Sequence, residues 1–524
     1  MLVRAAAWFS LSIITLGPAC VEDPPEQAAV VGMVVPVPAP DRLDLLIVVD
    51  DSGSMSGYQA TLAANLDAIA QVLLADDVDF DVRVAITTTS VPGPTCAGPL
   101  ARGGELLTDT CRAAPPQAFE APSEFSDEVV DQREICNDAC PHDQIARRPS
   151  PLDDYAEQLA IRPWFEPANN SYGGNLPGDV SFEHALSCAA LRGFGGCEFE
   201  SPLAAASRAL EHMGSPGDPA FGFLRDDTPL MILFIGDEDD CSHHAASASM
   251  FDPEGERVFW SNPAADAPTS AVCHNAGSSC DADGCVPIDR DAHGQPTTDY
   301  ADATLRSLVE FEAKLATLRL ERGVFVSMIG GVTPNGLLSY APSDDAAWIE
   351  EFGWGPGCEN AMGQRAQPPG RLYQLVAPIG AASSICSADW TPALESVANK
   401  IRPQLPPWCG PVGVADTDPS TVLVEPDCEL IVRTAADETW PVPPCVRDEQ
   451  GFVLDANLNY AVPAGADRCH VLLTDSDQQT ESLYDDISDI CVDAERPLEV
   501  SIAVRPGTLP VPRDSVYALT CASD

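Results

Sequence analysis

Leu45-Leu46-Ile47-Val48-Val49-Asp50-Asp51-Ser52-Gly53-Ser54-Met55 is the stretch that decides how this chain is read. Five consecutive apolar residues that stop at polar turn residues predict a strand buried on both faces, as the central strands of parallel sheets are. The turn that follows has the pattern Asp-x-Ser-x-Ser. Asp50, Ser52 and Ser54 can bring one carboxylate and two hydroxyls around a common point, a set of hard oxygen donors suited to Mg²⁺ or Ca²⁺.

Beyond the turn, Leu62, Leu66, Ile69 and Leu73 fall on one face of a helix, and Phe80, Val82, Val84 and Ile86 then alternate with Asp81, Arg83 and Ala85 as in a second strand. The pattern recurs downstream. Residues 229–235 predict a buried strand, 305–320 an amphipathic helix, 324–329 a strand and 371–376 a further strand, while Leu394, Val397 and Ile401 predict a last helix. This alternation argues for an α/β fold, a doubly wound and mostly parallel sheet with helices on both faces.

A buried strand ending in Asp-x-Ser-x-Ser resembles the start of the metal-ion-dependent adhesion site of the von Willebrand factor A (vWA) domain. In that family an aspartate after the fourth strand and a threonine from a second loop join the turn. Met231-Ile232-Leu233-Phe234-Ile235-Gly236-Asp237 has the strand-then-Asp form, so the resemblance implies Asp237 as a ligand. Both Asp50 and Asp237 would sit at carboxyl ends of parallel strands, where open α/β sheets bind ligands. Gly195-Gly196-Cys197-Glu198-Phe199-Glu200-Ser201 resembles the Gly-Gly-Thr loop, but Cys197 stands where the threonine belongs. A thiol is a poor ligand for a hard cation. Glu198, Glu200 or a water must take that role, or the site is weaker than usual. If both loops converge on one ion, as the resemblance implies, Cys197 and Cys241 would come close enough for a disulfide. Glu238, Asp239 and Asp240 read as a solvated acidic turn.

The Gly-Gly-Cys loop and the Asp-Glu-Asp-Asp-Cys-Ser run look like those of bacterial vWA lipoproteins. The resemblance covers about residues 43–402 in interrupted segments. It implies Mg²⁺, with Ca²⁺ or Mn²⁺ as alternatives, and a protein partner whose exposed carboxylate completes the ion's coordination.

A vWA domain is about 200 residues long, an ordinary domain size, whereas this one would run over 41–405. The excess is read as three Pro-, Gly- and Cys-rich insertions near 90–179, 242–301 and 333–367, held by disulfides where a core is lacking. From 412 to 524, short strand-like runs at 421–424, 430–432, 470–473 and 498–504, separated by Pro, Gly and Asp, predict a small β domain. Cysteine counts support the division: twelve lie between Cys96 and Cys386, and six between Cys409 and Cys521, two even sets.

Residues 1–19, with Arg4 before an apolar run and small residues at the end, read as a secretory signal. Gly17-Pro18-Ala19-Cys20 resembles the bacterial lipobox, with Gly17 where that family has leucine; Gly17 and Ala19 would also suit ordinary signal-peptidase cleavage. Parity favours lipidation of Cys20, since 19 cysteines less one leaves 18, an even number. Residues 20–40 read as a tether. The expected place is then the cell envelope, at the outer membrane or cell surface, with the membrane reached through the lipid. The spread of cysteines implies a disulfide framework; Cys136 with Cys140, or Cys280 with Cys285, lacks the second Cys/His pair of a zinc site.

With 80 acidic residues against 28 basic, the net charge is −52, which excludes nucleic acid and anionic lipid headgroups as partners. A hydrophobic fraction of 45% separates the chain from disordered acidic sequences. Such self-repulsion in a folded domain suggests salty surroundings, where counterions screen it. The function expected is binding or adhesion without catalysis. The alternatives are a secreted metal-dependent hydrolase, with the ion or His243 and His244 activating water, and a structural envelope protein with a degenerate site. No His-Glu-x-x-His, Gly-x-Ser-x-Gly or P-loop motif occurs.

Overall fold

The computed structural model describes residues 30–36, 42–73, 81–392 and 408–522. Within these it omits 124–125, 153–158, 168–173, 227, 282–283, 320–321, 341–342 and 379, then 412–413, 415–416, 418–425, 435–436, 449–450, 455–459, 475–486, 489–490, 493–495 and 506–514. The signal segment, Cys20, the helix expected at 394–401 and the strand expected at 421–424 lie outside the described residues.

At the centre is a five-stranded, wholly parallel sheet whose spatial order is Ala382–Ser384, Val324–Gly330, Leu230–Ile235, Arg42–Val49 and Asp81–Thr88. Arg42–Val49 is central because its run of branched apolar residues is covered on both sides. Leu45, Ile47 and Val49 join one core with Leu62, Leu66 and Ile69 of the helix Gln59–Leu73 and Leu186 of Phe182–Ala190. Leu46 and Val48, pointing the other way along the pleat, join a second core with Leu203 and Leu210 of Pro202–Gly214, Leu315 of Leu308–Arg319 and Leu375 of Gly370–Val376. Each fully buried aliphatic side chain contributes about 1.5–3 kcal/mol, so helices on both faces are what hold the strand at the centre.

Chain order in the sheet reverses between Arg42–Val49 and Leu230–Ile235. The chain moves outward from the first strand to Asp81–Thr88, then returns past it to start the other half. The carboxyl ends of those two strands therefore flank a topological switch point.

One expected element differs and one was missed. Residues 371–376 form part of the helix Gly370–Val376, not a strand, because Leu372, Leu375 and Val376 recur at helical spacing and face the second core. The edge strand Ala382–Ser384 was not expected; three small residues carry no periodicity.

Nine disulfides join eighteen cysteines. Six bridges lie within 96–386 and three within 409–521, as the two even sets require. Cys136 and Cys140 serve two separate bridges, to Cys111 and Cys188. The first insertion does more than decorate: Phe119, Phe165, Cys111, Cys136 and Cys140 belong to the first core, and Phe165 pairs with Val84.

The C-terminal part contains a four-stranded antiparallel sheet and a three-stranded one that share a core around Leu430, Val432, Leu498 and Leu519. Here the tether reading of 20–40 is corrected in part. Val30–Pro36 is an edge strand paired antiparallel with Val516–Ala522, and its Met33 joins the core of that sheet.

Candidate functional site

At the switch point the Asp-x-Ser-x-Ser turn closes on itself. The Ser52 N–H donates to Asp50 Oδ1 at 2.9 Å, and Ser52 and Ser54 hydroxyls are 2.9 Å apart. Ser54 donates to Asp237 Oδ1 at 3.0 Å, which joins the two strand ends. Asp50, Ser52 and Asp237 are buried. Gly236 is required beside them, since a Cβ there would lie 2.9 Å from Asp50 Cβ and Oδ2.

The Gly-Gly-Cys loop meets the same turn. Gly196 N–H donates to the Asp51 carbonyl at 2.7 Å, and the Cys197 N–H to Ser90 Oγ at 2.8 Å, while that hydroxyl donates to Asp51 Oδ1 at 2.7 Å. Of the two acids offered by this loop, Glu198 is exposed and Glu200 is buried and lines the site. The Glu200 carboxyl lies within hydrogen-bonding reach of Glu238, and Glu238 also reaches Ser54 and Ser270. Thr89, at 3.4 Å from Asp50 Oδ1, supplies a further hydroxyl.

The expected bridge between Cys197 and Cys241 is corrected. The two loops do adjoin, with the Cys241 N–H donating to the Glu200 carbonyl at 2.7 Å. Their thiols go elsewhere: Cys197 bonds Cys96 and Cys241 bonds Cys273, each a cysteine of an insertion folded against its loop. The solvated acidic turn is also corrected. Asp239 and Asp240 are buried, Glu238 is half-buried, and Arg371 Nε lies 3.2 Å from Asp240. Glu238 and Thr89 are the site residues that sequence reasoning missed.

Four carboxyls thus converge: Asp50, Asp237, Glu200 and Glu238. Burial raises the pKa of each, and repulsion from neighbouring carboxylates adds to it at Glu200, Asp237 and Glu238; Glu238 is pushed up to about 7, and Glu200 and Asp237 well above the carboxylate range. Glu200 Oε1 is buried without a hydrogen-bond partner. Beside the turn, a cavity of about 20 Å³ is lined by Asp50, Thr89, Glu200 and Glu238 on one side and by apolar residues such as Val48, Phe234, Met328 and Leu372 on the other, while Ser52, Ser54 and Asp237 do not line it. An excess of hard, anionic oxygens with an orphaned acceptor fits a divalent cation such as Mg²⁺.

His243 Nδ1 is 3.0 Å from the Cys241 carbonyl and its ring packs on Phe251, and His244 faces Glu310 at 3.4 Å.

No sequence family matches the chain, and no curated protein matches it. Among solved structures it is similar to three pilus adhesins. For SpaC from Lactobacillus rhamnosus GG in its open conformation the identity is 12% and the TM-score 0.28, over 92% of this chain and 38% of that one. For RrgA from Streptococcus pneumoniae they are 11% and 0.23, over 94% and 58%. For GBS104 from Group B Streptococcus agalactiae they are 11% and 0.25, over 94% and 82%. The chain thus spans about two fifths of SpaC.

Proposed function

We propose that this protein is an envelope-anchored binding protein whose vWA-like domain uses a metal-ion-dependent adhesion site to engage a protein ligand. The observation that carries the reading is the convergence of Asp50, Ser52, Ser54 and Asp237 at the switch point, with the carboxyls of Glu200 and Glu238 beside them. A divalent ion supplies the missing positive charge and an open coordination position. An exposed carboxylate on the partner would fill that position, so the ion would bridge two proteins without covalent chemistry.

The chain departs from the family's site where Cys197 is tied up in a disulfide and Glu200 presents its carboxyl instead of a threonine hydroxyl. An added anion strengthens the pull on Mg²⁺, Mn²⁺ or Ca²⁺. It also lies where a partner's carboxylate would approach, which weakens partner binding relative to a neutral hydroxyl. The nine disulfides fit an oxidising, extracytoplasmic compartment, and a lipid on Cys20 would hold the protein at the outer membrane or cell surface.

Isothermal titration with Mg²⁺ and Mn²⁺ tests this. One ion per chain is expected, and Asp50→Ala should abolish it. Unchanged binding in the variant would remove the site assignment, and Mg²⁺-independent capture of a carboxylate-bearing envelope protein would remove the bridging role.

A further inference from the structure

We propose that the Cys280–Cys285 bridge is a redox-active disulfide, opened by an exogenous dithiol with His274 as the proton donor to the leaving sulfur. The bridge spans the hairpin Ser278–Asp281 and Gly284–Pro287, in which Cys280 and Cys285 are direct cross-strand partners. Its sequence separation is 5, whereas the other eight bridges have separations from 24 to 101. The stabilisation a disulfide gives through chain entropy grows with the loop it closes. This bridge therefore adds the least of the nine to the fold, and the strand ladder already holds its ends together.

The two sulfurs differ in access. Cys280 is the one exposed half-cystine among the described residues, and Cys285 is buried. An attacking thiolate must reach a sulfur along the S–S axis, so access selects Cys280 for attack and makes Cys285 the leaving group.

Behind the bridge stands His274, 2% exposed, with Nε2 3.3 Å from Cys280 Sγ and 3.7 Å from Cys285 Sγ. Its Nδ1 faces Asp239 Oδ2 at 3.7 Å, and neither of those two atoms has a hydrogen-bond partner. A histidine kept only for packing would have its nitrogens satisfied by backbone or water. The ring is held in place from its own helix, Ala271–Gly277, where the neighbouring Cys273 is bridged to Cys241. The ring is thus turned with Nδ1 toward the Asp239 carboxylate and Nε2 toward the sulfur pair.

The step balances as thiol–disulfide exchange. A thiolate of the dithiol forms a bond to Cys280 Sγ, the Cys280–Cys285 bond breaks, and its electron pair leaves on Cys285 Sγ, which takes the proton from His274 Nε2. The second thiol of the reductant then attacks the mixed disulfide, releasing Cys280 as a thiolate. The reductant ends as a disulfide, and the protein's bridge has gained two electrons. Nε2 lies 3.3 Å from Cys280 Sγ and 3.7 Å from Cys285 Sγ, so a hydrogen on it is within reach of the departing sulfur and lowers that sulfur's effective basicity, which speeds departure.

Limiting dithiothreitol added to the full-length protein, followed by timed alkylation and peptide mass mapping, gives the order in which the bridges open. Cys280 and Cys285 should be alkylated first, at least about tenfold faster than any other pair, and His274→Gln should slow that opening about tenfold with the melting temperature and the other eight bridges unchanged. A monothiol should be trapped on Cys280 in the wild-type protein, a readout that stands even if the variant does not fold. Prior opening of another bridge, an unchanged rate in a folded His274→Gln, or a monothiol trapped on Cys285 would each overturn the proposal.

Discussion

Replacing Glu238 with glutamine should move stability in opposite directions with and without a divalent ion. Glu238 lies beside Glu200 and Asp50, and burial, with repulsion from Asp50, raises its pKa from 4.5 to about 7 against the lowering effect of hydrogen bonds with Glu200, Ser270 and Ser54. A raised carboxyl pKa means that the native state binds the proton more tightly than the unfolded chain. Stability is therefore intact below pH 4.5 and is lost progressively as pH rises toward 7. A difference of about 2.5 units corresponds to roughly 3 kcal/mol at most, and partial solvent access of this half-buried group brings it to about 1–3 kcal/mol. Glu238→Gln keeps a hydrogen-bonding amide toward Ser54 and Ser270 and removes the charge. In chelator at pH 7.5 the variant should be more stable than wild type by about 1–3 kcal/mol, with the gain gone near pH 4.5. In saturating Mg²⁺ the order should reverse, because ion binding adds RT ln(1 + [L]/Kd) to the wild type and the variant has lost a charge that attracts the ion. Urea unfolding at three pH values, in chelator and in Mg²⁺, measures both arms. A variant less stable than wild type in chelator at pH 7.5 would refute the view of an uncompensated anion cluster.

Gly236→Ala should weaken Mg²⁺ binding at least about tenfold by titration while lowering stability by only about 1–3 kcal/mol, because the new Cβ would press on Asp50 at 2.9 Å; unchanged affinity would mean that Asp50 is not held as described. Arg225→Met should cost about 3–5 kcal/mol in urea, since Arg225 Nε and Nη1 lie 2.8 and 2.9 Å from Asp44 and Asp81 at the opposite end of the central strands, and its loss strands two buried carboxylates; a cost below about 1 kcal/mol would contradict that. Intact mass of membrane-extracted protein should show diacylglycerol on Cys20 and no free thiol after denaturation, and an unmodified Cys20 would end the anchor assignment.

How far the sequence could be read follows from which interactions are local. The buried strand at 45–49, its turn and the strand ending before Asp237 were legible because an unbroken apolar run and an oxygen-rich turn are written in consecutive residues. The two closed cysteine sets were legible from counting alone, because each domain pairs its own. Residues 371–376 misled because a short apolar run carries too few turns of a helix to show its period.

Tertiary structure alone decided the rest. Glu198 and Glu200 are two residues apart and chemically alike, and only the path of the Gly196–Ser201 backbone, stitched to Asp51, Ser90, Thr89 and Cys241, turns Glu200 inward and leaves Glu198 in water. Glu238 looks like a solvated acid until three other carboxyls close around it. Val30–Pro36 reads as tether because the strand that pairs with it lies almost five hundred residues away, at Val516–Ala522. Cys197 and Cys241 belong to loops that touch, yet they bond Cys96 and Cys273, because a disulfide follows the direction of two Cβ vectors, and that direction is set by how the insertions fold back on the sheet.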